Sequence, residues 1–248
     1  MICELVKKTR VKEHMYDFTI DCPEMAQQAK AGQFLHILCG GDAYLRRPIS
    51  ICDVLKNRYL RFIFEIRGEG TKSLAQRQVG DRLDVLGPLG NGFDVHKEDQ
   101  DAVLLIGGGI GIFPLLNLAK QLDGKATVLL GFRNKDAMMM DEEFAAVCKD
   151  VFVATDDGSC GFHGLVTEVL QGILRTNAVS RIYTCGPTPM MKAVAKIAKE
   201  NGVPVQVSLE ERMGCGVGAC VTCTCTVAGS RKRVCKDGPV FDGAEVEF

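Results

Sequence analysis

The chain has 248 residues, 46% of them hydrophobic, with 30 basic and 31 acidic residues and a formal net charge of −1. That length and apolar content suffice for one large core or two to three smaller ones, and two domains with an appendage is the simplest division. Neither sign of charge forms a long block, which argues against a nucleic-acid footprint. Residues 1–18 are charged and hold no apolar signal core, so a cytoplasmic location is expected. Twelve cysteines in a reducing compartment then read as free thiols or metal ligands, not as a disulfide framework.

Residues 1–97 carry strand-sized, β-branched or aromatic runs at 4–6, 14–20, 34–38 and 59–66, bounded by Gly, Asp, Asn or Pro. Regular spacing of such runs predicts a small antiparallel barrel. Arg46-Arg47-Pro48-Ile49-Ser50 follows the third of them. A cation, a φ-fixing proline and a hydroxyl in that order suit a pyrophosphate and a flavin ring nitrogen, although a solvated arginine pair at a strand entry is the simpler reading of this stretch alone. A short helix is predicted over 71–75, with Gly70-Thr71 leaving backbone N–H groups free for phosphate.

From residue 98 the pattern alternates. Strands are predicted at 103–106, 126–130, 151–154, 181–184 and 205–209, and helices at 114–121, 142–148, 165–174 and 190–200. This is the signature of a doubly wound parallel sheet over 98–207. The apolar run 102–119 is long enough to resemble a membrane span, but its four glycines and Pro114 fit a strand, a turn and a buried helix better. Gly107-Gly108-Gly109-Ile110-Gly111 stands between the first strand and its helix, where a dinucleotide pyrophosphate approaches the backbone. The strict G-x-G-x-x-G is not met, because Ile112 occupies the last position. On its own the motif reads equally well as a tight strand–helix connection.

Residues 208–248 form a third segment, too small to hold a core alone. Cys215, Cys220, Cys223 and Cys235 are spaced C-x4-C-x2-C-x11-C, with Gly214, Gly216, Gly218 and Ala219 between the first two. Four thiolates in a short glycine-rich loop match the ligand set of a plant-type 2Fe-2S centre. Zinc is the competitor, but its structural sites usually show two C-x2-4-C knuckles and Cys235 stands alone. Cys225 is a spare thiol outside the complete spacing.

Other conspicuous residues read as structural. His14, His36, His96 and His163 are dispersed without metal spacing, and Met138-Met139-Met140 is a helix start or core patch. Cys3, Cys22, Cys39, Cys52, Cys148 and Cys160 are small apolar fillers, and Asp156-Asp157 is a turn.

Arg47-Pro48-Ile49-Ser50, Gly68-Glu69-Gly70-Thr71, Gly87-Pro88-Leu89-Gly90-Asn91-Gly92, Gly107-Gly108-Gly109-Ile110-Gly111 and Cys185-Gly186-Pro187 follow one another as in the ferredoxin–NADP reductase superfamily, which the chain resembles over nearly its whole length. The run from Glu210 to Cys220, with Val234-Cys235-Lys236-Asp237-Gly238-Pro239-Val240-Phe241, is similar to the electron-transfer subunits of NAD-dependent, two-subunit dihydroorotate dehydrogenases. The resemblance implies an FAD-binding barrel (1–97), an NAD-binding α/β domain (98–207) and a 2Fe-2S domain (208–248). It implies FAD held by Arg47, Pro48, Ile49 and Ser50, by Ile63, Phe64 and Glu65, and by Gly70 and Thr71. NAD would be lined by Gly107, Gly108, Gly109, Gly111, Cys185, Gly186 and Pro187, and the cluster held by Cys215, Cys220, Cys223 and Cys235. Arg133, after the second parallel strand, would also accept a 2′-phosphate, so the preference for NAD comes from the resemblance.

The implied partner is an FMN-containing catalytic subunit that oxidises dihydroorotate to orotate, assembled as a heterotetramer of two of each chain. No general acid, base or covalent nucleophile is expected here. A related flavin and iron–sulfur oxidoreductase subunit serving ferredoxin or sulfite reductase, and a redox or zinc sensor without turnover, are the rival readings.

Overall fold

The structure is a computed structural model describing residues 1–41, 43–95 and 102–248; His96 and the 97/98 boundary lie outside the described residues. The chain divides into two units. The first comprises Met1–Gly92, Glu210–Cys225 and Lys232–Pro239, and the second Phe93–Leu209, Thr226–Arg231 and Val240–Phe248. The segment 208–248 thus contributes to both, its cysteine-bearing stretches to the first.

In the first unit, β1 (Ile2–Lys12), β2 (Met15–Asp21), α1 (Pro23–Ala26), β3 (Phe34–Leu38), β4 (Arg47–Ser50), β5 (Asp53–Leu55), β6 (Tyr59–Glu65), α2 (Glu69–Ala75) and β7 (Arg82–Leu89) follow in order. The strands form an antiparallel sheet in the order β4-β3-β7-β1-β2-β6-β5, and β4 comes back beside β6, curling it. Register sets Phe18 opposite Phe62, and their rings meet at 5.7 Å while Phe64 packs edge-on to Phe18 at 5.1 Å. Each such side chain contributes about 1.5–3 kcal/mol by leaving water. Leu35 and Ile37 point into this same core, so the intervening His36 projects from the other face of β3. β1 runs far beyond the expected 4–6 because the charged Lys7, Lys8 and Arg10 break its apolar pattern and mask the strand in the sequence. α2 begins at Glu69, two residues earlier than expected, which places Gly70 and Thr71 within its first turn.

In the second unit, β8 (Val103–Gly108), α3 (Phe113–Gln121), β9 (Ala126–Phe132), α4 (Asp141–Ala145), β10 (Asp150–Thr155), β11 (Phe162–His163), α5 (Val166–Thr176), β12 (Arg181–Cys185), α6 (Thr188–Glu200) and β13 (Val205–Ser208) follow in order; the alternation is the expected one except that the two-residue β11 is additional and α4 stops at Ala145, short of the expected 148. β14 (Thr224–Val227) pairs with β15 (Ser230–Arg233), and β16 (Val240–Asp242) closes the list. The sheet order is β11-β10-β9-β8-β12-β13-β16, parallel throughout except for β16 against β13. Every residue of β8 is buried, as a central parallel strand covered on both faces requires. The apolar run 102–119 resolves into β8, a 3-10 turn and α3 with Pro114 in its first turn. Among the described residues no helix is long and apolar enough to cross a membrane.

Candidate functional site

Strand order reverses between β8 and β12, and ligands of doubly wound sheets bind at the carboxyl ends of the strands flanking such a point. Both glycine turns of the sequence lie there. Gly107 pairs with Cys185, and a Cβ on Gly111 would stand 2.5 Å from the Cys185 carbonyl oxygen and from Gly186 Cα. Gly186, at φ +157°, has Gly108 N 2.9 Å from where its own Cβ would be. The two loops touch through their main chains, and of the glycines in the first turn it is Gly109, at φ +55°, that faces open space where a ligand could approach the backbone. Ile112, where the strict fingerprint has glycine, is fully buried, and its Cγ2 fills the space a Gly107 side chain would take, at 2.7 Å. Close packing at this turn thus depends on Gly107 instead. Gly111→Ala should cost about 1–3 kcal/mol, because the atoms it meets are backbone and cannot move aside cheaply. A thermal melt that matched the parent would show that the loops are not in close contact.

In the first unit the two arginines of the Arg46-Arg47 pair separate by role. Arg46 is committed to Asp84, with Nη2 2.6 Å from Oδ2 and Nη1 donating to the Asp84 carbonyl at 2.9 Å, and it holds the Asp84 carboxyl below its usual range. Among the described residues Arg47 meets only main-chain carbonyls, those of Leu45 and Arg46. Its guanidinium lies against Gly70, where a Cβ would be 2.9–3.0 Å away. A cation without a carboxylate partner therefore sits on the first turn of α2, whose Thr71 hydroxyl accepts from Arg67 N and Gly68 N at 2.9 and 3.3 Å. Pro48, Ile49 and Ser50 continue along β4 and are each half-buried. On β6, Ile63 is buried, Phe64 is stacked on Tyr16 at 6.0 Å within the core, and Glu65 pairs with Arg67 at 2.8 Å. Phe64 can thus offer a ligand only its main chain.

The four cysteines of the spacing stand in this same unit as two pairs, Cys215 with Cys220 and Cys223 with Cys235, each within side-chain hydrogen-bonding reach. Among the described residues no three His, Cys, Asp or Glu side chains gather at one point as ligands of a single ion. Backbone N–H groups converge on the sulfurs. Val217, Ala219 and Cys220 donate to Cys215 Sγ at 3.4, 3.2 and 3.4 Å, Gly218 to Cys235 Sγ at 3.1 Å, and Cys235 N to Cys223 Sγ at 3.4 Å. Gly216 and Gly218 have φ of +73° and +81°, which turns those N–H groups inward.

The pairs differ electrostatically. Hydrogen bonds from the Thr222 side chain and backbone push exposed Cys220 down to about 6. Burial works to raise the Cys215 thiol, but the N–H groups of Cys220 and Val217 prevail and hold it below its usual value. Burial, then the adjacent Cys223, pushes Cys235 up to about 12. Cys225 is in neither pair; its thiol donates to the Lys232 carbonyl at 3.8 Å, and burial raises its pKa.

Three residues not expected at the site complete this region. Asn91 Nδ2 donates to the Lys236 and Asp237 carbonyls at 3.2 and 3.1 Å while its N–H donates to Gly238 O at 2.6 Å, so the Gly87–Gly92 turn grips the chain just after Cys235. Arg233 ties Asp237 to the Gly218 carbonyl, at 3.0 and 3.1 Å. His36 lies beneath Gly216, where a Cβ would be 2.5 Å from Nδ1. An asparagine between two glycines was the only sequence signal for the first, and the other two had none. His14 and His163 are exposed, and Arg133 is exposed past β9.

Residues 210–247 match the family described as the iron–sulfur cluster binding domain of dihydroorotate dehydrogenase B, and residues 105–196 the oxidoreductase NAD-binding domain. The chain is 46% identical over 246 residues, 95% of its length and 94% of the relative's, to the dihydroorotate dehydrogenase B (NAD(+)) electron transfer subunit of Geobacillus kaustophilus. The protein of the same name from Caldanaerobacter subterraneus is 40% identical, with 100% and 98% of the two chains covered. Among solved structures, an NADH-dependent reduced ferredoxin–NADP oxidoreductase, described for flavin-based electron bifurcation, superposes with a TM-score of 0.90 at 36% identity, covering 100% of this chain and 90% of that one. A ferredoxin–NADP reductase from Neisseria gonorrhoeae, with FAD and NADP bound, gives a TM-score of 0.68 at 18% identity over 82% of this chain and 91% of that one, a likeness of fold.

Proposed function

Because the chain belongs to the family of electron transfer subunits of the NAD-dependent dihydroorotate dehydrogenase B, we propose that it carries FAD and a 2Fe-2S cluster and connects NAD to an FMN-containing catalytic subunit that oxidises dihydroorotate to orotate. The observation that carries this reading is the two-and-two grouping of the cysteines under converging N–H groups. Two metals held by two thiolates each need that grouping, whereas one tetrahedral ion needs four sulfurs around a point. When bound, the flavin exchanges a hydride with nicotinamide and single electrons with iron–sulfur. Assembly as two of each chain is part of the same proposal.

The residues act by placement. Arg47 neutralises the FAD pyrophosphate with the first turn of α2, and Pro48, Ile49 and Ser50 hold the flavin along β4, while Ile63, Glu65 and the Phe64 main chain lie along the facing strand. The open backbone at Gly107–Gly111 and Cys185–Pro187 seats the NAD pyrophosphate and nicotinamide. Cys215, Cys220, Cys223 and Cys235 ligate the cluster, and the N–H groups aimed at their sulfurs stabilise the thiolates.

Metal and flavin analysis of the purified chain tests the reading: FAD and about two irons per chain are expected, and stoichiometric zinc in place of iron would sink it. Arg47→Ala should weaken FAD binding by roughly tenfold to a hundredfold, because a charge-assisted contact to pyrophosphate contributes about 1.5–3 kcal/mol. FAD that stays stoichiometric in that variant through dilution and gel filtration would reduce Arg47 to a surface charge. A second reading, a subunit of a ferredoxin-linked NAD(P)H oxidoreductase, is favoured by the 36% identity to the bifurcating enzyme. Assay with dihydroorotate separates the two.

A further inference from the structure

His36 is fully buried, and among the described residues neither of its ring nitrogens has a hydrogen-bond partner. Buried polar atoms are nearly always paired, so a histidine held dry with both nitrogens orphaned is a poor choice for mere filling. Its surroundings give a reason for it. On one side His36 is the cross-strand partner of Pro48, within the β3–β4 pair that carries Arg47 to Ser50. On the other side it meets the cysteine loop, with Nδ1 where a Gly216 side chain would begin. The main-chain carbonyls of Arg46 and Cys215 face the ring at the margin of hydrogen-bonding reach. Gly216, at φ +73°, leaves the ring its space, so loop and imidazole are shaped to each other.

We propose that His36 is the positioning residue that fixes the Cys215 end of the cluster loop on the flavin-holding strand pair, the one N–H of its neutral ring closing a hydrogen bond to the Cys215 main-chain carbonyl when the loop is loaded. This rests on the assignment of FAD and the 2Fe-2S cluster to the first unit. His36 touches neither group in this account. It acts through Cys215, as partners behind metal ligands do in orienting the ligands themselves. The relative placement of the two redox groups then depends on one imidazole, because the same ring contacts the strand pair of one and the loop of the other.

The full chain, loaded with FAD and cluster, tests this with two variants. His36→Gln keeps a side-chain N–H, and His36→Phe keeps the volume without one. The expected result is that His36→Phe retains FAD, shifts the g values of the chemically reduced cluster in its paramagnetic resonance spectrum, and loses iron to a chelator roughly tenfold faster. His36→Gln should stay close to the parent in both. A His36→Phe spectrum and iron-loss rate identical to the parent's would overturn the proposal and leave His36 as packing. Should His36→Phe not fold, Gly216→Ala and its combination with His36→Ala serve instead. The added methyl meets the ring, so the single change should deplete the cluster and the double change recover part of it; no recovery would also overturn the proposal. A parent chain that purifies without iron or FAD refutes the site assignment itself, and the iron and flavin content records that separately.

Discussion

Cys220→Ser should abolish the visible iron–sulfur absorption of the chain and its reduced resonance signal while leaving bound FAD in place, and Cys225→Ser should leave both. Cys220 is the exposed member of its pair, and its thiol is already pushed down to about 6 by Thr222. A thiolate is the ligand form, so this sulfur is ready for iron at neutral pH. Serine puts in its place a hydroxyl that stays protonated there. Cys225, two residues past Cys223, is the spare thiol next to the third position of the spacing. Its sulfur is instead turned to the Lys232 carbonyl and its pKa is raised by burial, which keeps it protonated. FAD should survive because Arg47, the start of α2 and β6 do not depend on the cysteine loop for their own hydrogen bonds. The two variants, compared for iron, flavin and spectrum, check the assignment; a cluster lost in Cys225→Ser and kept in Cys220→Ser would reverse it.

The purified chain alone should oxidise NADH with an artificial acceptor and ignore dihydroorotate, and the complex with its catalytic partner should form NADH from dihydroorotate and NAD. Taking hydrogen from a carbon acid needs a positioned base and a polar pocket for the carboxylate. The motifs of this chain are glycine turns at a sheet switch point, an arginine beside a helix start with no carboxylate partner among the described residues, and four thiols in two pairs. In the proposed assignment these hold pyrophosphates and iron, and none of them takes a proton from carbon. Assay of NADH formation from dihydroorotate, on the chain freed of any partner, decides it. Appreciable turnover there would place the dihydroorotate site in this sequence and end the division of labour between subunits.

Much of the site was legible because it depends on short-range demands. A loop that wraps a cluster needs cysteines a few residues apart and glycines at positive φ, and Cys215, Gly216, Gly218, Cys220 and Cys223 state this within nine positions. The strand–turn–helix at Val103–Gln121 likewise follows from a buried apolar run, a glycine turn and Pro114. The one near miss of pattern, Ile112 for glycine, had a structural answer in the neighbouring Gly107.

The strand lengths were less legible where one face is wet. In β1, Lys7, Lys8 and Arg10 break the apolar pattern, yet pairing with β2 extends the strand to Lys12. The short β5 and β11 have too few residues to show any period.

By itself, then, the sequence determined the fold class, the cysteine spacing and the class of chemistry, all of which are written in residues close together along the chain. Only the tertiary structure separated the two arginines, since Arg46 pairs with Asp84, 38 residues away, while among the described residues Arg47 meets main-chain carbonyls alone. It also set Asn91 against the Lys236 carbonyl across 145 residues and brought His36 beneath Gly216. Those pairings come from sheet register and from how the terminal segment packs on β3, β4 and the Gly87–Gly92 turn. Contacts of that kind are selected by the burial of whole surfaces, which no local window of residues contains.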